Sequence, residues 1–290
     1  MQKSQKQQEV HRSTKRNRLE YTLSRLQKSG QKALAVFLMG GDPNLVHSEK
    51  MFRAALDGKA DILEIGVPFS DPLADGPVIQ DAAARALQHK TSVEDIFSLT
   101  SRLRADYNNP IVLLTYWNPI YQYGPELFFQ RAGKSGVDGL VIPDLPYEEK
   151  GCFKPLAETS GVLLIDFLTP MTREERAGKI LKDTRGFVYC VTISGVTGER
   201  GLLSHTLPET AATGRRHTKT PLLAGFGIST PDQAVEASRL VDGVIVGSAL
   251  VKEVEKNLEK PGLLPKVILE KVSSFRRGLD QAFPLDAARG

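Results

Sequence analysis

The stretch Leu63-Glu64-Ile65-Gly66-Val67-Pro68-Phe69-Ser70-Asp71-Pro72-Leu73-Ala74-Asp75-Gly76-Pro77 reads as a strand running into a loop rich in proline and glycine. Ile62, Leu63 and Ile65 mark a strand buried on both faces, as in a parallel sheet covered by helices. Glu64 stands inside that strand, so it must find partners or sit poorly solvated, where its pKa rises and it can give up a proton near neutral pH. Asp75 follows in a loop stiffened by Pro68 and Pro72, which can return over the mouth toward which Glu64 points. The two carboxyls form a candidate acid/base pair. On local sequence alone, a buried structural Glu beside a surface Asp is the alternative.

The same strand-then-helix unit recurs along the chain. Strand candidates are 33–39, 61–66, 110–115, 138–142, 162–167, 187–192, 220–224 and 242–247. Helical patterns lie among them at 46–58, 78–105 in two pieces, 124–135, 147–159, 172–183 and 230–239, with 248–256 and 262–281 after the last strand and an amphipathic segment at 18–28 before the first. Eight strands alternating with helices favour a closed parallel (β/α)8 TIM barrel, whose functional groups collect at the strand C-terminal ends. A doubly wound open sheet is the alternative, but Met39-Gly40-Gly41-Asp42-Pro43 after strand one does not match a dinucleotide-binding glycine fingerprint. The expected organisation is one barrel domain over 18–283, with extra helices at its N-terminus and after strand eight. Residues 1–17 and 284–290 are expected to be disordered ends.

Composition narrows the class. The chain has 290 residues, 41% hydrophobic and 25% charged, the profile of an ordinary globular protein of one-barrel length. Its net charge of +4 resides in residues 1–17, where Lys3, Lys6, Arg12, Lys15 and Arg16 face only Glu9. The remainder is neutral, and the basic tail lacks interleaved aromatics, which argues against a nucleic-acid partner. The longest apolar runs, such as Ile111-Val112-Leu113-Leu114, are of strand length, so no membrane segment is expected. Two cysteines, Cys152 read as a helix residue and Cys190 as a strand residue, have no metal-type spacing and suit a reducing cytoplasm.

Further along, Leu223-Ala224-Gly225-Phe226-Gly227-Ile228-Ser229 follows strand seven and Gly247-Ser248-Ala249 follows strand eight. Either alone is as readily a turn. Together, at the strand ends where this barrel holds phosphate, Gly227 and Gly247 let backbone N–H groups approach an anion and Ser248 adds a hydroxyl. The loop Ser194-Gly195-Val196-Thr197-Gly198-Glu199-Arg200-Gly201 after strand six is a candidate lid, with Thr197 able to reach Asp75 or substrate and Gly198 able to close over phosphate. No lysine lies in or at the end of a strand to form a Schiff base, and His11, His47, His89, His205 and His217 are scattered without metal spacing. Acid/base chemistry on a phosphorylated substrate is left, with Leu114, Tyr116, Trp117 and Tyr189 available to line a flat pocket.

The run from Glu64 to Pro77, with Gly41-Asp42-Pro43, Tyr116-Trp117-Asn118-Pro119, Pro143-Asp144-Leu145-Pro146, Ser194-Gly195-Val196-Thr197-Gly198, Gly225-Phe226-Gly227-Ile228 and Gly247-Ser248, resembles the tryptophan synthase alpha chain family over about 18–280. The resemblance implies a barrel that cleaves indole-3-glycerol phosphate to indole and glyceraldehyde 3-phosphate, with no cofactor or metal of its own. It implies a beta-chain partner that carries pyridoxal phosphate, in an alpha2-beta2 tetramer. Glu64 and Asp75 match the catalytic positions, Leu114, Tyr116 and Tyr189 the indole pocket, and Thr197, Gly198, Gly227, Gly247 and Ser248 the substrate and phosphate site. Pro68, Asp71 and Asn118 lie in or beside loops on the same face and are the candidate partner surface. Departures stand at Gly40, at Asp166 where proline is usual, and at Ile193 before the lid. A catalytically weak relative that mainly activates the beta chain, and a different phosphate-binding isomerase or synthase barrel, are the competing functions. The latter lacks a strand-one lysine or cysteine.

Overall fold

The structure is a computed structural model and describes residues 17–191, 202–225 and 227–285. Nine parallel segments form one sheet: β1 (Ala33–Met39), β2 (Ile62–Gly66), β3 (Ile111–Leu114), β4 (Gly139–Val141), β5 (Leu163–Leu164), β6 (Asp166–Leu168), β7 (Val188–Val191), β8 (Leu222–Gly225) and β9 (Gly243–Val246). β1 pairs with β2 on one side and with β9 on the other, so the first and last strands close on each other. The sheet order begins at β5 and ends at β6, which are consecutive in the chain and separated only by Ile165. They are two halves of the fifth barrel strand.

The single strand expected at 162–167 is therefore divided. Its first half pairs with β4, Gly139 opposite Leu163, and its second half with β7, Asp166 opposite Val188. Closing tilted strands into a barrel staggers the two neighbours of each strand along its length, and here the stagger separates the two ladders completely. All seven residues of β1 are buried, because one face fills the barrel and the other packs under helices.

The helix Arg18–Lys28 plugs the end where the strands begin. Asn17 caps it, its Oδ1 accepting from Leu19 N at 2.8 Å while its Nδ2 donates to Asp138 O and Gly161 O just before β4 and β5. Leu19, Leu23 and Leu26 face inward. At the strand C-terminal end the loops stay available for chemistry.

Other departures from the expected elements have local causes. The loop after β3 contains the helix Trp117–Tyr123, which accommodates Pro119 in its first turn, and Gly124 at φ +90° separates it from Pro125–Ser135. The helix expected over 147–159 is two, Tyr147–Lys150 and Lys154–Ser160, so Cys152 lies in an exposed turn and not in a helix. The helix Leu202–His217 holds Pro208 in its interior, which disrupts the pattern that would announce it. The expected lid, with Ile193, Thr197 and Gly198, lies outside the described residues, as do 1–16 and 286–290 of the expected disordered ends.

Candidate active site

Glu64, on β2, is an exception to the apolar interior: it pairs in register with Phe37 and Val112 and is 2% exposed. Neither of its carboxylate oxygens has a hydrogen-bond partner among the described residues. Loss of water pushes its pKa up to about 8, and the negative charge of Asp75 adds to the rise. At neutral pH this carboxyl holds its proton.

Asp75 sits one residue before the cap of the helix Pro77–Gln88. Burial raises its pKa to about 6, against the opposing effect of a hydrogen bond from Tyr116. The Tyr116 hydroxyl donates to Asp75 Oδ2 at 3.0 Å and accepts from Ala74 N at 3.0 Å, so one phenol holds two successive residues of the loop. Tyr116 is in turn buried at the N-terminal end of the helix Trp117–Tyr123, its ring 5.4 Å from that of Phe69. Two buried carboxyls are thus displaced to different extents, an arrangement chemically suited to an acid and a base.

Tyr189 comes from β7, with ring neighbours Phe167 at 5.3 Å and Phe187 at 6.2 Å. Its hydroxyl is held protonated by burial, and the charges of Glu64 and Asp75 add to the rise. Gly225 on β8 leaves room for the ring, since a Cβ there would come within 2.6 Å of the phenol oxygen. Asp75, Leu114 and Tyr189 line one cavity of ≈ 370 Å³, whose remaining wall includes Ile142, Leu164 and Phe167. Glu64 does not line it. The carboxyl is sealed behind the wall, next to residues that do.

A second cavity of ≈ 380 Å³ opens beside Asp71, Leu73, Tyr116, Asn118 and Asp144, and shares Ala74 with the first. Asp71 and Asn118 are exposed and come together here, whereas Pro68 is buried. Leu73 is 93% exposed between them in the loop.

The two glycine motifs meet through the sheet. Gly225 pairs with Ile245, so Gly227 and Gly247 stand at the same height two residues beyond that pair. Gly227 has φ +80°, a conformation that suits glycine, and Gly247 caps the helix Ser248–Lys256, whose first N–H groups face the strand ends. Ser248 is exposed at that helix start. Phe226 lies outside the described residues.

Sequence position overlooks two charged contacts. Lys150, within the helical pattern expected over 147–159, is buried and donates to Asp166 Oδ1 at 2.6 Å and to Leu164 O at 2.9 Å, and both residues line the first cavity. Searching strand ends for a lysine misses one that arrives from a helix. Asp42 is 1% exposed and accepts a two-point contact from Arg85 at 2.8 and 2.9 Å, tying the loop after β1 to the helix that follows Asp75. At Gly40 a Cβ would press on the end of the Ile96 side chain and come 3.0 Å from Gly66 O, so a larger residue requires these neighbours to shift. Among the described residues no group of three or more His, Cys, Asp or Glu could hold a metal ion, and no helix is long and apolar enough to cross a membrane.

A parallel (β/α)8 barrel with two buried carboxyls, an aromatic-lined cavity and two glycine loops at its C-terminal face places the chain among barrel enzymes of the lyase class. The family model for the tryptophan synthase alpha chain matches residues 23–280. The tryptophan synthase alpha chain of Desulfosudis oleivorans is 40% identical over 260 residues, covering 90% of this chain and 98% of that one. The alpha chain of Citrifermentans bemidjiense is 44% identical over 240 residues, covering 83% and 90%. Among solved structures, tryptophan synthase subunit alpha from Legionella pneumophila superposes with a TM-score of 0.83 at 34% identity, covering 92% of this chain and 99% of that one. The chain belongs to the tryptophan synthase alpha chain family.

Proposed function

We propose that this chain cleaves indole-3-glycerol phosphate to indole and glyceraldehyde 3-phosphate, with Glu64 and Asp75 as its acid/base pair. The observation that carries the reading is the split between the two carboxyls, Glu64 pushed up to about 8 and Asp75 to about 6. Between those values Glu64 is protonated and Asp75 ionised.

Cleavage needs a proton on indole C3, stabilisation of the positive charge this creates on the ring, and removal of the proton from the adjacent side-chain hydroxyl. Glu64 gives its proton to C3. Asp75 accepts a hydrogen bond from the indole N–H and stabilises the cationic ring. The C3 side-chain bond then breaks, its electron pair restores the aromatic ring, and the hydroxyl proton passes to the Glu64 carboxylate as the carbonyl of glyceraldehyde 3-phosphate forms. Protons balance, and no cofactor takes part. Since no hydrogen bond from the described residues holds the Glu64 carboxyl, rotation about its side-chain bonds carries it to the cavity wall.

Leu114, Tyr116 and Tyr189 provide the indole pocket, and the amides at Gly227 and Gly247 with the Ser248 hydroxyl take the phosphate. Thr197 and Gly198, outside the described residues, are assigned to the same substrate from their sequence alone. Asp71 and Asn118, with Pro68 in the same loop as Asp71, form the docking surface for a beta chain that carries pyridoxal phosphate, in an alpha2-beta2 tetramer in the cytoplasm. The barrel domain is 18–283.

One observation favours a second reading, a chain that mainly activates the beta subunit: Glu64 is sealed from the cavity. Indole release from indole-3-glycerol phosphate, measured with and without the beta chain, separates the two. Release that rises on adding beta chain supports the lyase. Binding of the beta chain with no release in either condition supports the activator.

A further inference from the structure

Lys150 and Asp166 are each 9% exposed at the side chain, and their contact closes a gap in the barrel. The fifth strand is divided at Ile165, and the Lys150 ammonium bridges the division: it donates to Leu164 O on β5 and to the Asp166 carboxylate on β6. Such a pair contributes little to stability, because desolvating two charges offsets most of their attraction and an apolar pair of similar volume serves the core as well. Its location suggests what else it does. Phe167, next to Asp166, packs on Tyr189, and both rings line the first cavity with Asp75. In the other direction, Lys150 ends the helix Tyr147–Lys150, which begins where the loop carrying Asp144 ends. Asp144 accepts from Trp117 N at 2.8 Å and lines the second cavity with Asp71 and Asn118.

We infer that Lys150 and Asp166 are a positioning pair for the cleavage reaction, holding the strand-five wall of the cavity against Tyr189 and linking it to the loop beside the partner surface. The inference rests on the proposed activity. With the pair in place, Phe167 and Tyr189 have one seat, and the carboxyl behind them has one path to the indole. With it gone, the wall relaxes across the break at Ile165, and a misplacement of a fraction of an ångström lowers the rate of reaction more than the affinity.

The test compares the full chain with Lys150→Met/Asp166→Leu and with Lys150→Arg, each with and without the beta chain, following indole release and thermal unfolding. The double variant is expected to unfold near the parental temperature while kcat falls about tenfold or more, KM moves less than about threefold, and the stimulation by beta chain shrinks. Lys150→Arg, which keeps a donor to both acceptors, is expected to recover most of kcat. Parental kcat and stimulation in the folded double variant would overturn the inference, leaving the pair a packing contact. Should the double variant fail to fold, Asp166→Glu shifts the carboxylate by one methylene while retaining the ion pair: reduced kcat at unchanged KM supports positioning, and unchanged kcat overturns it. The parent measured in parallel keeps the two ideas apart. A parent that releases no indole overturns the activity, and the pair is then judged by the amount of double variant needed to stimulate the beta chain, an unchanged amount counting against it.

Discussion

The hydroxyl of Tyr116 donates to Asp75 across 41 residues of chain, and it is the described side-chain contact that restrains the rise in the Asp75 pKa. Tyr116→Phe removes that bond and leaves the burial. Asp75 should then titrate above about 6, moving the acid limb of the kcat/KM profile upward, so the variant loses more activity at pH 6 than at pH 8. An acid limb that stays in place would show that Asp75 does not govern it.

Asp75→Asn keeps the shape and removes the charge that the proposed mechanism sets against the indole N–H. Indole release should fall by about a hundredfold or more, chiefly in kcat. A change confined to KM would make Asp75 a binding residue.

Glu64→Gln should likewise abolish the proton transfer and cost about a hundredfold or more in indole release. It should also change how stability depends on pH. The parental carboxyl, raised from 4.5 to about 8, keeps its proton in the folded state while the unfolded chain ionises, so stability is lost as pH rises from 4.5 through about 8. The cost is roughly 3 kcal/mol at pH 7 and larger at pH 9, and the amide avoids it. The variant should therefore unfold at a higher temperature than the parent at pH 9, with the gap closing toward pH 5. A gap independent of pH would mean that Glu64 is ionised in the folded protein.

That Glu64 could be picked out at all follows from contrast: a carboxyl inside Ile62, Leu63 and Ile65 is out of place unless it has work there. β1 and the helix Ser248–Lys256 fall where their patterns predict, because an all-apolar run and a periodic apolar stripe each have one economical fold. The division of strand five at Ile165 had no local signal, since it arises from the stagger of two neighbours that belong to distant parts of the chain. The Tyr116 to Asp75 bond and the Lys150 to Asp166 pair were hidden for the same reason. In the sequence Asp166 stands out only as a departure from a family pattern, and Lys150 carries no signal of its own within the helical pattern over 147–159.

For the phosphate site, Gly247→Asp places a negative charge at the start of the helix Ser248–Lys256, where the free amides would otherwise meet an anion. A Cβ there has ordinary clearance, 3.4 Å from Phe37, so the fold should survive. KM for indole-3-glycerol phosphate should rise at least tenfold, and inorganic phosphate should cease to compete. Unchanged KM would put the phosphate elsewhere.

Gly225→Ala tests the seat of Tyr189 without touching either carboxyl. The new Cβ would lie 2.6 Å from the Tyr189 hydroxyl oxygen and 2.7 Å from the ring carbon that bears it, so the ring must leave its place. Phe167 and Phe187 flank that place, and the displacement disturbs the cavity wall as well as the core. Overpacking of this kind costs about 1–3 kcal/mol, which unfolding by denaturant would register. The decisive measurement is activity: if Tyr189 orients the indole beside Glu64, kcat/KM should fall about tenfold or more in the folded variant. Adding Tyr189→Leu relieves the clash, so the double variant should regain stability while staying slow. Recovery of both together would mean that Tyr189 fills space and nothing more, and the pocket's orientation of indole would then have to come from Leu114 and Tyr116.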